Sequence, residues 1–250
     1  MSTNNTTGGN KNIKEEIANF TVNGKNYLGF FYYDENIKDK RPGIIVVPEW
    51  WGLNDYPKNR ARQLSSLGYV ALVIDMYGDG KLGANPQEAQ TLATPYYQDV
   101  SLTKLHIDAA IDKIKSFPQT DTAKIAAIGY CFGGFVALNA AKLGARLKGV
   151  VSFHGSLGGP APKRDVIKAN LLICHGGADE FANPDVEQTK KQLDSVNADY
   201  KFIIYPGAKH AFSNPAATEN GKKFNMPIKY NAEADVASWK DMKEFFEELF

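Results

Sequence analysis

Six short runs along the chain are apolar almost throughout: Gly43 to Val47, Val70 to Asp75, Ile125 to Ile128, Gly149 to Phe153, Leu171 to Cys174 and Phe202 to Tyr205. Continuous rather than alternating apolar character predicts strands covered on both faces. Between them lie stretches with helical spacing, near Lys58 to Leu67, Leu102 to Lys115, Phe135 to Leu143, Pro184 to Val196 and Ala234 to Phe250. Strands alternating with helices predict an α/β fold, a mainly parallel sheet with helices on both faces. Ahead of this alternation, two β-rich runs in Ala18 to Tyr33 flank Asn23-Gly24. That pair favours a type I′ turn, so an N-terminal antiparallel hairpin is expected. Gly78 to Pro95 and Ser213 to Asn231 show no clear period and are expected to be irregular segments, either walls or lids of a pocket or mobile surface loops. No linker or repeat interrupts residues 13–250, which read as a single domain. Residues 1–12, rich in Asn, Thr and Gly, read as a disordered tail.

The strand at Lys124 to Ile128 leads directly into Gly129-Tyr-Cys-Phe-Gly133, and an Ala-rich helical stretch follows. Strand, tight turn and helix around G-x-nucleophile-x-G form a nucleophile elbow, here with cysteine as the nucleophile. Cys131 is thereby expected at a helix N-terminus, where the positive end of the dipole favours a thiolate. A thiol nucleophile needs a base, and the base needs an orienting acid. His210 lies in a loop just after one predicted strand, and Asp179 in the loop after the strand before it. Both are therefore expected at the carboxyl edge of the sheet, where open α/β folds place their active sites. His175 and His106 are expected to be packing residues, while His154 ends a strand and is either a wall of the same cleft or a packing residue. The oxyanion hole takes one N–H from the residue after the nucleophile, Phe132. Trp50 is expected to give the second, since Pro48 has no N–H to give. Trp51, Tyr77, His154 and Phe212 are expected to line the pocket.

Charge and composition narrow the partners. The formal net charge of +1 and the lack of a dense Lys/Arg cluster argue against nucleic acid. No apolar run is long enough to span a bilayer. Two cysteines make no disulfide framework, and Cys174, inside an apolar run, reads as core. No apolar leader is visible, so a cytoplasmic location is expected; a leader removed ahead of Met1 would instead make the protein periplasmic or secreted. No metal or organic cofactor is implied, and a monomer or weak homodimer is expected.

Taken together, Glu49-Trp-Trp-Gly52, Asp75-Met-Tyr-Gly78, Gly129-Tyr-Cys-Phe-Gly-Gly134, Ser152-Phe-His-Gly155, His175-Gly-Gly-Ala-Asp179 and Tyr205-Pro-Gly-Ala-Lys-His210 resemble the dienelactone hydrolase family. The resemblance runs from about Ile13 onward. It implies an α/β-hydrolase fold, a triad of Cys131, His210 and Asp179, and hydrolysis of a small ester or lactone through an acyl-cysteine. It also implies a role for Glu49, a carboxylate that contacts the resting thiol and helps take its proton. In the namesake enzymes, arginines bind the substrate carboxylate. The corresponding stretches here, Tyr77-Gly-Asp-Gly80 and His210-Ala-Phe-Ser-Asn214, contain none, and Asp79 is expected to repel an anion. A neutral ester, lactone or thioester is the expected substrate. A thioesterase or acyltransferase on the same triad, a non-catalytic ligand-binding protein and a redox-sensing thiol are the alternatives.

Overall fold

The computed structural model describes residues 11–250. Most of the expected tail therefore lies outside the described residues. Its last two, Lys11 and Asn12, are bound: Asn12 donates through its amide to Glu35, and Lys11 to the Ser66 carbonyl.

Among the described residues, ten strands and seven α-helices follow in the order β1 (Ile13–Ile17), β2 (Phe20–Val22), β3 (Lys25–Tyr27), β4 (Gly29–Asp34), β5 (Arg41–Val47), α1 (Asp55–Ser66), β6 (Val70–Ile74), α2 (Pro86–Gln98), α3 (Ser101–Lys115), β7 (Thr120–Tyr130), α4 (Phe132–Lys142), β8 (Gly149–Phe153), β9 (Asn170–Gly176), α5 (Val186–Ser195), β10 (Tyr200–Tyr205), α6 (Ala217–Phe224) and α7 (Ala232–Leu249). Eight strands form one sheet in the order β1-β4-β6-β5-β7-β8-β9-β10. The six strands from β6 to β10 run parallel. β4 and β1 join antiparallel. This is the α/β-hydrolase arrangement.

Two apolar layers sandwich the sheet. One packs Val70, Leu72, Ile45 and Ala127 with α3 and α4 residues such as Ile107, Ile111 and Val136. The other packs Ala71, Val73, Ile44, Val46 and Ile128 with Leu64 of α1 and Met242 and Phe246 of α7. Because each strand presents alternate residues to the two layers, both faces must be apolar, which explains the unbroken runs in the sequence.

The hairpin forms around Asn23 and Gly24, whose φ values of +47° and +77° give the two left-handed positions a type I′ turn requires. Its second run does not continue to Tyr33, however. The chain leaves the two-stranded sheet after Tyr27, and β4 joins the main sheet from Gly29 onward. A Cβ on Gly29 would lie 2.7 Å from the Ala18 carbonyl, so the crossing depends on glycine there.

The two segments expected to be irregular each contain a helix. In the first, α2 starts at an Asn85 cap whose side chain accepts from the Glu88 N–H. Glu88 in return accepts from the Asn85 amide and the Ala84 N–H. Asn85-Pro-Gln-Glu88 thus combines a reciprocal cap with proline at the first helical position. Pro95, inside the helix, hides the pattern by acting as a breaker in sequence terms. In the second segment, α6 is only eight residues long and contains Gly221, too short a run to show a period.

Candidate active site

The sheet reverses its strand order on either side of β5 and β7, and the site gathers at the carboxyl ends there. Glu49 follows β5, Cys131 follows β7, His154 follows β8, Asp179 follows β9 and His210 follows β10. Registry brings the ends level: Val47 pairs with Gly129, Tyr130 with Phe153, Phe153 with Cys174 and Gly176 with Tyr205.

The elbow geometry follows from its glycines. A Cβ on Gly129 would lie 2.0 Å from the Gly133 carbonyl oxygen, and one on Gly133 would lie 2.3 Å from that of Val47. Only without side chains at both positions can α4 settle this close to β7 and β5. Between them Cys131 is forced to φ +54° and ψ −115°, a strained conformation for a residue with a side chain. The strain lifts its Sγ off the strand and leaves it at the start of α4.

Cys131 Sγ lies 3.0 Å from His210 Nε2, and His210 Nδ1 lies 2.8 Å from Asp179 Oδ2. The other Asp179 oxygen accepts from the N–H groups of Phe181 and Ala182. Burial alone raises a carboxyl, but the His210 hydrogen bond and charge and these two N–H groups outweigh it, holding Asp179 below its usual value. For His210, burial pulls the imidazolium down, yet the Cys131 thiolate and the Asp179 carboxylate hold it well above its usual value. A base that accepts the thiol proton and keeps it close at hand is what acyl transfer by cysteine needs.

Glu49 is buried at 2% exposure beside this group, its Oε2 accepting from Asn214 Nδ2 at 2.6 Å. Burial pushes its carboxyl up to about 7, against the Asn214 bond and the nearby His210 and Arg60 charges. The carboxyl therefore changes protonation near neutrality, in the cleft that also holds the nucleophile.

A cleft of about 350 Å³ opens over Cys131, bounded chiefly by Trp50, Trp51, Tyr97, Phe181, Met226 and Ile228. Its size and apolar walls suit a small organic ligand. Trp51 thus lines the cleft as expected, and its ring stacks on Phe224 at 5.8 Å. Tyr77, His154 and Phe212 do not line it and are corrected here. Tyr77 lies behind the wall, stacked on Phe132 at 5.9 Å and donating its hydroxyl to the Trp50 carbonyl at 2.9 Å. Phe212, fully buried, packs on His154 and Tyr205. Position beside a catalytic loop does not tell which way a side chain turns. Asp79 is also corrected: its side chain is 75% exposed beside Lys81 and outside the cleft. Asp75 closes that loop by accepting from the N–H groups of Tyr77 and Gly80.

Sequence reasoning missed Gln90 and Tyr97 of α2, Ser156, Phe181, Ala211, Met226 and Ile228 as lining residues. Gln90, Met226 and Ile228 fall in the two segments expected to wall the pocket. Tyr97 follows in the same helix as Gln90. His106 and His175 are buried packing residues: His106 meets Tyr27 edge-on, and His175 Nε2 lies 2.7 Å from Asn183 Oδ1.

A model of the dienelactone hydrolase family matches residues 29–250. A protein of Methylorubrum extorquens described as "Putative carboxymethylenebutenolidase" is 28% identical over 218 residues, covering 82% of this chain and 71% of that protein. Among solved structures, m3DLH superposes with a TM-score of 0.90 at 32% identity, covering 95% of this chain and 99% of that one. The dienelactone hydrolase-like promiscuous phosphotriesterase P91, from metagenomic libraries, gives 0.87 at 32% identity with the same coverage. The chain belongs to the dienelactone hydrolase family, and its Cys131–His210–Asp179 group makes it a cysteine hydrolase of esters or lactones.

Proposed function

We propose that the protein hydrolyses small, uncharged, apolar esters or lactones rather than the carboxylate-bearing dienelactone. The observation that supports this is the cleft wall: among the described residues, no lysine or arginine lines it. A substrate carboxylate entering there would give up its water without a guanidinium fork to replace it. Among the described residues, the one ionisable wall group besides Cys131, His210 and Tyr97 is Glu49, which repels an anion when charged.

Attack by the Cys131 sulfur on the substrate carbonyl carbon forms a tetrahedral oxyanion. The Phe132 and Trp50 N–H groups receive it. Phe132 is the first residue of α4, whose N–H has no acceptor within the helix. Trp50 is steadied through its carbonyl by Tyr77. Collapse breaks the carbon–oxygen bond, and the His210 imidazolium gives its proton to the departing alkoxide. His210 then takes a proton from water, whose oxygen attacks the thioester. The second collapse releases the acid and regenerates the thiolate. Glu49 acts at the start of the cycle: its carboxylate helps take the thiol proton as substrate enters and passes it to His210, which then holds it as the imidazolium for the departing alkoxide.

Comparing kcat/KM for matched pairs of lactones, with and without a carboxylate, tests the substrate class. A neutral preference is expected, and a strong anionic preference overturns it. A thioester in the same panel addresses the thioesterase reading. The P91 relative is described as a promiscuous phosphotriesterase, and a neutral phosphate triester shares the property this cleft selects for, so one belongs in the panel. A monomer or weak homodimer is part of this proposal, which sedimentation tests. A reducing, cytoplasmic setting suits the two free cysteines; fractionation of the source cells checks it.

A further inference from the structure

His154 is fully buried, does not line the cleft, and has a φ of +40°, a left-handed conformation uncommon for a residue with a side chain. Its ring lies edge-to-face with that of His210, centroids 5.5 Å apart. The Cys131 N–H donates to His154 Nδ1 at 3.1 Å and also faces the Phe153 carbonyl at 3.0 Å. An acceptor at Nδ1 leaves the ring neutral, with its proton on Nε2. That proton is donated to Ser213 Oγ, 2.7 Å away. Ser213 lies three residues after His210. Its Oγ is 2.8 Å from the Tyr56 hydroxyl, and its carbonyl accepts from Arg60 at 2.7 Å. Arg60 is paired with Asp235 of α7, so the far end of this chain of contacts is anchored on two helices.

We propose that His154 is a positioning residue for the hydrolysis, tying the backbone of the nucleophile elbow to the loop that carries the general base. Cys131 and His210 belong to separate loops, after β7 and β10, yet must stay within 3.0 Å through two acyl-transfer steps. His154 hydrogen-bonds to both loops at once. It can do so only as a neutral imidazole, because a proton on Nδ1 would set a donor against the Cys131 N–H. Burial, followed by the His210 and Arg60 charges, holds it well below its usual value and keeps it neutral. The strained backbone turns the ring inward, which accounts for a histidine at the strand end that reaches no substrate. The proposal rests on the Cys131–His210 mechanism.

The test separates this link from general packing. Ser213→Ala removes the far partner. His154→Asn tolerates the left-handed backbone and can keep an acceptor toward the Cys131 N–H, but is too short to reach Ser213. Each is expected to lower kcat about 10- to 100-fold, the scale of a misplaced catalytic group. KM should change less than about threefold. The double variant should be no worse than either single, since both cut the same link. Tyr56→Phe removes a buried hydroxyl from the same network beyond that link. It should lower the melting temperature while leaving kcat within about threefold. If Ser213→Ala does not fold, His154→Asn decides alone. The proposal is overturned if the single variants keep kcat within threefold, if their effects multiply, or if Tyr56→Phe costs as much as Ser213→Ala. A wild type that never acylates Cys131 contradicts the mechanism itself; an acylating wild type with unaffected variants contradicts only the positioning role.

Discussion

His210 and His154 are both buried, 5.5 Å apart, and their proton affinities shift in opposite directions. Burial acts on both in the same direction, favouring the neutral ring. The difference comes from the partners. His210 stands between a carboxylate and a thiolate, and both favour the imidazolium. His154 stands between a backbone N–H, which requires an acceptor, and a serine hydroxyl, with the Arg60 cation close by. The first ring is built to gain and lose a proton and the second to keep a fixed one. Burial alone therefore does not identify a catalytic histidine; the charge of its hydrogen-bond partners does.

The strongest way to break this contrast is to make His210 resemble His154. Asp179→Asn gives it a neutral partner and should lower kcat about 10³- to 10⁴-fold, through loss of the tautomer and of imidazolium stabilisation. Titration of the His210 ring by NMR should show its pKa falling. His210→Gln, which removes the base altogether, should cost at least as much in ester turnover.

Glu49→Gln should act less severely, lowering kcat/KM about 100-fold at pH 8, within the range of a lost proton acceptor. Wild-type kcat/KM should rise with pH through about 7 as Glu49 ionises, and the variant should lose that limb. Stability should move the other way. The folded carboxyl holds its proton up to about 7 and the unfolded one only to about 4.5, so wild-type stability falls between those pH values. At about 1.4 kcal/mol per pH unit this amounts to on the order of 3–4 kcal/mol. Glu49→Gln should therefore be the more stable protein at pH 8, and gain little at pH 5, in denaturant titrations. The triad pair has its own pH dependence. Asp179 contributes stability above its unfolded value that is lost as pH falls through its lowered folded value. His210 contributes stability below its unfolded value of about 6.5 that is lost as pH rises through its raised folded value.

The smallest effect concerns the other cysteine. Cys174 is fully buried in the core, and burial pushes its thiol up to about 12. Cys174→Ala should change kcat less than about twofold and cost about 1 kcal/mol of stability. Iodoacetamide at pH 8 should label only Cys131 in the folded protein.

The parallel strands were legible because a strand covered on both faces must be apolar throughout, as Val70 to Ile74 is; their order in the sheet was not, since no run carries a mark of its neighbour. The triad was legible because each member follows a strand, and strand ends share one edge. Glu49's role entered through family resemblance, since a lone carboxylate before two tryptophans has many uses. β1 was missed because four of its five residues are exposed, leaving Ile-Lys-Glu-Glu-Ile without an apolar run. The capping pattern at Asn85 to Glu88 was there to be read, but Pro95 argued against a helix. The turn of a side chain was not legible at all. Tyr77, His154 and Phe212 follow strands as the triad does, and only packing decides that they face away from the cleft.

The central claim is an acyl group carried on Cys131. Rapid quenching of wild-type protein with a neutral activated ester, followed by peptide mass spectrometry, tests it most directly. The account predicts an acyl mass on the peptide containing Cys131, none on Cys174, and neither adduct nor turnover in Cys131→Ala. Equal turnover by Cys131→Ala, or an adduct on another residue, would contradict it.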